Sequence, residues 1–185
     1  MIAAGFRCPV TARFRHEIWV KLLGNVAFNP ISALTGGTLE ELDRHADTSK
    51  VVREIMTETE AVAGKLGIEM PISIDQRMAG AEKVGAHKTS MLQDLEAGRP
   101  LELEAVVGAV IELGDRLGVP MPATRAVYAC AKMADEKRQR QRHESSVKAQ
   151  RGGFQLPGAH EDASERRDAS HANGASRRSG SRESV

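Results

Sequence analysis

Aromatic residues are scarce in this chain: one Trp, one Tyr and four Phe among 185 residues. It therefore lacks the interleaved rings on which single-stranded nucleic acids stack. Its two cysteines, Cys8 and Cys130, lie far apart and outside any Cys-x-x-Cys spacing, which removes a disulfide framework and a structural zinc site and suits a reducing cytoplasm. No apolar run approaches the roughly 18 to 20 residues needed to cross a bilayer, and the N-terminus lacks the layout of a signal peptide, so the sequence predicts a soluble, cytoplasmic protein. There is no Gly-x-Gly-x-x-Gly and no Walker-type loop; Gly36-Gly37 and Gly152-Gly153 follow no strand pattern. His16, His45 and His87 fall into no metal-ligand spacing, no Ser-His-Asp set is suggested, and no repeat has a solenoid period. Metal-dependent and acyl-transfer chemistry are unsupported.

The overall formal charge of +1 conceals two regions of opposite sign. Residues 1–136 carry 15 Lys+Arg against 19 Asp+Glu, a net of −4, whereas residues 137–185 carry 11 against 6, a net of +5. Beyond Phe154, Leu156 and Pro157 the tail is Ser, Gly, His, Arg and Asp, with too little apolar surface to offset the entropy of ordering it. The expected organisation is an N-terminal segment at 1–14, a helical domain at 15–136 and a disordered basic tail at 137–185. Such a tail can meet acidic partners through non-specific electrostatics, but a solvated tail is the simpler reading and nucleic acid is not expected as a partner.

Apolar spacing in the first 136 residues is helical throughout, and no convincing strand is found, so the fold class is all-α with about six helices. The pattern predicts a helix from His16 to about Ala27, with Pro30 breaking or kinking the chain beside Asn29. Thr38-Leu-Glu-Glu41 reads as a capping box, and Ser49 as the cap of a longer helix with Val51, Val52, Ile55, Met56, Val62, Ala63 and Leu66 on one face, ended by Gly67. Pro71 and Asp75 open a helix to about Val84. Ser90-Met-Leu-Gln93 is a second capping-box pattern, which predicts that Ser90 caps a brief helix stopping at Gly98-Arg99-Pro100. Leu101 to Leu117 is a long amphipathic helix closed by Gly118, and a last helix from about Ala123 is expected to bury Val127, Tyr128, Cys130, Ala131 and Met133.

The most informative segment is Trp19-Val-Lys-Leu-Leu-Gly-Asn-Val-Ala-Phe-Asn-Pro30, which spaces Lys21, Asn25 and Asn29 four residues apart. On a helix this stacks one cation and two amides along a single stripe between apolar neighbours. A pocket built there would shield three polar groups from competing water. Taken one at a time, the candidates have plain structural alternatives: a solvated lysine, asparagines capping a broken helix, a Ser90 that only caps, and a Glu102 favoured by a helix dipole.

Taken together, three blocks are recognisable: Lys21-Leu-Leu-Gly-Asn25-Val-Ala-Phe-Asn29-Pro30-Ile-Ser-Ala-Leu, Ser90-Met-Leu-Gln-Asp-Leu-Glu-Ala-Gly-Arg-Pro-Leu-Glu102, and Leu117-Gly-Val-Pro-Met-Pro122. In order, and in spacing for the first two, they resemble the C-terminal helical domain of ketopantoate reductase (2-dehydropantoate 2-reductase), a fold of the 6-phosphogluconate dehydrogenase-like type. The likeness runs from about Arg15 to about Lys132. It implies an NADPH-dependent oxidoreductase that reduces ketopantoate to pantoate on the route to pantothenate and coenzyme A. Lys21 would then be the general acid and Glu102 the active-site acid, while Asn25, Asn29 and Ser90 bind substrate; Arg99 reads as a solvated loop arginine, Trp19 and Met91 as core. The family's N-terminal Rossmann domain has no counterpart before Met1, so NADPH is implied by resemblance alone and cofactor-binding residues are unassigned. The chain by itself is expected to be inactive. Its expected partners are a small 2-keto acid and either a second copy or a separate dinucleotide-binding chain. The rival expectations are a non-catalytic helical interaction or dimerisation module, and a reductase of another 2-keto acid.

Overall fold

The computed structural model describes Gly5 and residues 11–152. Seven α-helices follow one another: α1 Phe14–Thr35, α2 Leu39–Arg44, α3 Ala46–Lys65, α4 Ile74–Val84, α5 Ser90–Glu96, α6 Ala109–Leu117 and α7 Pro122–Gly152. A π-helical turn, Glu104–Gly108, runs directly into α6. No strand occurs among the described residues, and no described helix is long and apolar enough to cross a membrane. The architecture is all-α, as the apolar periodicity predicts.

The centre of the bundle is α1, which packs against α2, α3, α5, α7 and the π-helical turn. Leu23, Val26, Ala27, Phe28 and Ile31 of α1 are buried with Val52, Ile55, Met56 and Val62 of α3 and Val107 and Val110 of the π/α6 segment. Trp19 and Met91 belong to this core, as predicted.

Of the kink or break expected at Pro30, a break does not occur. The helix continues to Thr35 and ends at Gly36 in the left-handed conformation. A helix-interior proline costs about 3 kcal/mol because its ring clashes and its N–H is missing. Here residues 26–32 are all buried, and each large apolar side chain removed from water contributes about 1.5–3 kcal/mol. Phe28 and Ile31 together therefore outweigh the proline. Downstream, Ser32 Oγ donates to Gly37 O at 2.6 Å and Thr35 Oγ1 to Ile31 O at 2.8 Å, closing the final turn.

Capping chemistry decides the other boundaries. Thr38 and Glu41 form the predicted capping box. His45, not Ser49, caps α3, its Nδ1 accepting from Thr48 N at 3.3 Å; Ser49 falls inside the first turn because the chain needs only the one-residue corner at His45 between α2 and α3. Ser73 caps α4 with Gln76 in a capping box. Thr89, not Ser90, caps α5, accepting from Leu92 N at 3.2 Å, and Gln93 turns instead to donate to Lys88 O at 2.9 Å. At the start of α7 the Glu58 carboxylate accepts from Ala123 N, Thr124 N and Thr124 Oγ1 at 2.9, 2.9 and 2.6 Å, tying α3 to the orphan amides of the last helix.

The last helix does not stop at residue 136. α7 continues to Gly152, through the first third of the segment expected to be disordered; residues 153–185 lie outside the described residues, as does Cys8. The first turn beyond residue 136 is docked on the bundle. Arg138 donates to Leu95 O at 3.1 Å and Arg99 O at 2.7 Å, holding the end of α5, and pairs at 2.7 Å with the buried carboxylate of Asp135, which Gln139 also approaches at 2.6 Å. A cation at a helix C-terminus satisfies carbonyls that the helix itself leaves open. Two apolar expectations for α7 are corrected as well: Met133 is 69% exposed and Cys130 is exposed, since Thr124, Ala131 and Asp135 form the buried stripe.

Replacing Arg138 by alanine is expected to lower stability to urea by about 1–3 kcal/mol, because it removes charged hydrogen bonds and strands a buried carboxylate. The same variant should become sensitive to limited proteolysis between residues 136 and 152; unchanged stability and an unchanged digest would contradict the docking described.

Candidate functional site

The unbroken α1 keeps Lys21, Asn25 and Asn29 in helical register, so consecutive members of the stripe rise about 6 Å along the axis. The stripe sinks inward as it goes: Lys21 is exposed, Asn25 half-buried and Asn29 only 6% exposed. Asn25 and Asn29 line a pocket of about 160 Å³ together with Ser90, Arg77, His87 and Thr89. Drug-sized pockets run about 300–1,000 Å³, so this one suits a smaller molecule.

Three of the five predicted residues thus share one pocket, although they come from sequence positions more than 60 apart. Ser90 reaches it as the exposed first residue of α5, oriented by the Thr89 cap. The other two are not in its wall. Lys21 stands one turn further up α1, and Glu102 is exposed in the extended link that leads to the π-helical turn. Arg99, beside it, is 59% exposed and pairs with Asp94 at 2.7 Å, as befits a solvated loop arginine.

Arg77 was not foreseen. It extends from α4 and lays its guanidinium over Gly24 of α1, where a methyl group built on the glycine would stand 2.6 Å from the guanidinium carbon. Half-buried in this way, the group is pushed below its ordinary pKa by desolvation alone. An arginine stays charged regardless. Only Gly24 hinted at it: a glycine inside a helical apolar run marks a close approach, but the sequence does not say of what.

Larger hollows lie elsewhere: about 660 Å³ beside Lys50, Arg53 and Glu58, and about 610 Å³ beside Gly37 and His45. They are open, and three of the charges lining the first are already engaged, Lys50 with Asp47, Arg53 with Asp75 and Glu58 with the α7 amides. The small pocket brings the polar groups of α1 together with those of α4 and α5. Among the described residues no three His, Cys, Asp or Glu side chains gather to hold a metal ion.

A second polar cluster braces the turn that follows Glu102. Tyr128 donates to Glu104 at 2.6 Å, Lys132 pairs with Glu104 at 2.7 Å, and Lys132 donates to the Tyr128 hydroxyl at 3.2 Å. The Lys132 hydrogen bond, followed by that of Tyr128, holds the Glu104 carboxyl below its ordinary 4.5. The same carboxylate raises Lys132, and burial with the Glu104 bond raises Tyr128.

Comparison with known proteins supplies a context for these residues. The family described as "Ketopantoate reductase PanE/ApbA C terminal" matches residues 13–135. A 2-dehydropantoate 2-reductase of Mesorhizobium japonicum is 51% identical over 129 residues, which are 70% of this chain and 40% of that protein. Among solved structures, a PanE/ApbA family ketopantoate reductase of Ralstonia eutropha aligns with a TM-score of 0.70 at 30% identity, over 75% of this chain and 47% of the other. A 2-dehydropantoate 2-reductase of Methylococcus capsulatus aligns with a TM-score of 0.68 at 34% identity, over 74% and 44%. The chain therefore spans about two fifths of the length of the curated relatives it matches.

The Glu104 cluster has a measurable signature. Its folded pKa is depressed, so its contribution to stability is present above pH 4.5 and is lost as pH falls through the lower folded value. Replacing Lys132 by methionine should move the Glu104 midpoint up toward 4.5 in a carboxyl NMR titration and flatten the fall in stability below that pH. A midpoint that does not move would show the cluster to be open in solution.

Proposed function

Because the chain belongs to the ketopantoate reductase family, matching the family's C-terminal domain, we propose that it is the substrate-binding helical part of a 2-dehydropantoate 2-reductase, an NADPH-dependent oxidoreductase of pantothenate biosynthesis. The observation that carries this reading is the pocket in which Asn25, Asn29 and Ser90 meet. Two amides and a hydroxyl, each able to donate and accept, suit a molecule that carries a carbonyl, a hydroxyl and a carboxylate within a few bonds.

Reducing a 2-keto acid needs a hydride at the carbonyl carbon and a proton at its oxygen. The residues of this chain address the second need. Asn25 and Asn29 orient the substrate along α1; Lys21, on the same stripe, offers the ammonium proton that converts the developing alkoxide to a hydroxyl. Glu102 is assigned to hold substrate or the lysine in place. The hydride donor is a different matter. A dinucleotide sits at a strand-to-helix turn with closely approaching glycines. No strand exists among the described residues, so they form no such seat, and no step is assigned to the cofactor here. It would have to be presented by a dinucleotide-binding fold outside them.

Ketopantoate is expected to bind the 185-residue chain saturably in isothermal titration, and Asn25→Asp, which keeps the shape but adds a negative charge beside an anionic ligand, should weaken it at least tenfold. NADPH should remain unoxidised when both are mixed with the chain alone, because proximity to the nicotinamide supplies much of the rate. Ketopantoate-dependent NADPH oxidation by the purified chain would overturn the assignment of the hydride site to a separate fold, and absence of ketopantoate binding would overturn the substrate-binding role.

A further inference from the structure

The pocket around Asn25 and Asn29 contains no carboxylate side chain. Of its two cations, Lys88 is already committed, its ammonium lying 2.6 and 2.9 Å from the two oxygens of Glu96. Arg77 is not committed: among the described residues nothing lowers the cost of its burial, and desolvation is the one influence on its titration. A half-buried charge without a counter-charge is expensive, whereas surface pairs such as Arg53–Asp75 and Arg116–Glu112 carry their own. The arrangement is intelligible if the missing negative charge arrives with the ligand.

Gly24 supplies the second observation. It lies inside α1 with no positive φ, so the backbone does not require glycine there, and glycine weakens a helix relative to alanine. What it provides is room. A Cβ at this position would run into the Arg77 guanidinium and push it off the helix, toward solvent. The chain accepts a poorer helix former in its central helix, and the guanidinium thereby seats against Gly24, in the wall of the pocket that it lines together with Asn25.

We propose that Arg77, seated on Gly24, receives the carboxylate of the substrate and so makes this site selective for 2-keto acids over uncharged carbonyl compounds. The planar fork of donors matches a carboxylate in bidentate fashion. The amides of Asn25 and Asn29 are then left for the neighbouring keto and hydroxyl oxygens. The inference rests on the substrate-binding role proposed above.

The experiment compares ketopantoate with its neutral keto-lactone, which keeps the carbonyl but has no carboxylate, by isothermal titration against the 185-residue chain. Wild type is expected to bind the acid about 10- to 100-fold more tightly than the lactone. Arg77→Gln should abolish that margin while changing lactone affinity less than about twofold, and Arg77→Lys should keep part of it. Gly24→Ala separates binding from folding: it should leave the thermal midpoint unchanged or raised, yet lose the preference as Arg77→Gln does. An acid-to-lactone ratio that survives in Arg77→Gln overturns the assignment of Arg77 and leaves the substrate-binding role standing. Failure of wild type to bind either compound overturns both.

Discussion

Leu23, Val26, Ala27, Phe28 and Ile31 fasten α1 into the middle of the bundle, and the polar stripe of the candidate site is positioned by that burial. One helix serves as the apolar axis of the domain and as the polar wall of its pocket. Both duties are possible because the helical period puts Lys21, Asn25 and Asn29 on one stripe that starts at the exposed edge of the helix and enters the buried part only at Asn29. The same burial holds Pro30 within the helix, so that Asn29 stays in the same helix as Asn25. Had the proline won, the two amides would not face one cavity.

Charge is distributed in two distinct ways. Most ion pairs, such as Lys50–Asp47, Lys88–Glu96 and Arg125–Asp115, are exposed and local, and pairs of this kind contribute roughly 0–1 kcal/mol each. Three groups are placed differently. The Glu58 carboxylate faces the amides of α7, and Arg138 faces the carbonyls at the end of α5; each closes a helix terminus with a side chain from another element. Arg77 has the same half-buried character but no ion-pair partner among the described residues. The first two hold the bundle together, and the third is the charge the domain keeps available for a ligand.

Most of the helices are legible in the residues because their evidence is local. Thr38 and Glu41 specify the start of α2 within four residues, and Gly67 and Gly118 mark helix ends with positive φ. The failures have a common cause. Ser49 and Ser90 each satisfy a capping pattern, yet His45 and Thr89 do the capping, because which of two nearby side chains caps depends on where the preceding element leaves the backbone. The helical stretch 137–152 was unreadable for a related reason. Its Lys, Arg and Gln residues look purely solvated until Arg138 meets Leu95 O and Arg99 O, partners about 40 residues away.

The site divides along the same line. Sequence alone determined the polar stripe on α1, the Ser90 and Glu102 blocks and their likeness to ketopantoate reductases, since spacing within a helix and order along a chain are one-dimensional facts. Only the tertiary structure decided which of these residues share a cavity, joining Asn25, Asn29 and Ser90 and leaving Lys21 and Glu102 outside its wall. It alone revealed Arg77, because an arginine on one helix and a glycine on another carry no sign of each other until packing brings them into contact. Local hydrogen bonds and periodicity are written in neighbouring residues; the position of a charge relative to a pocket depends on the whole core closing around it.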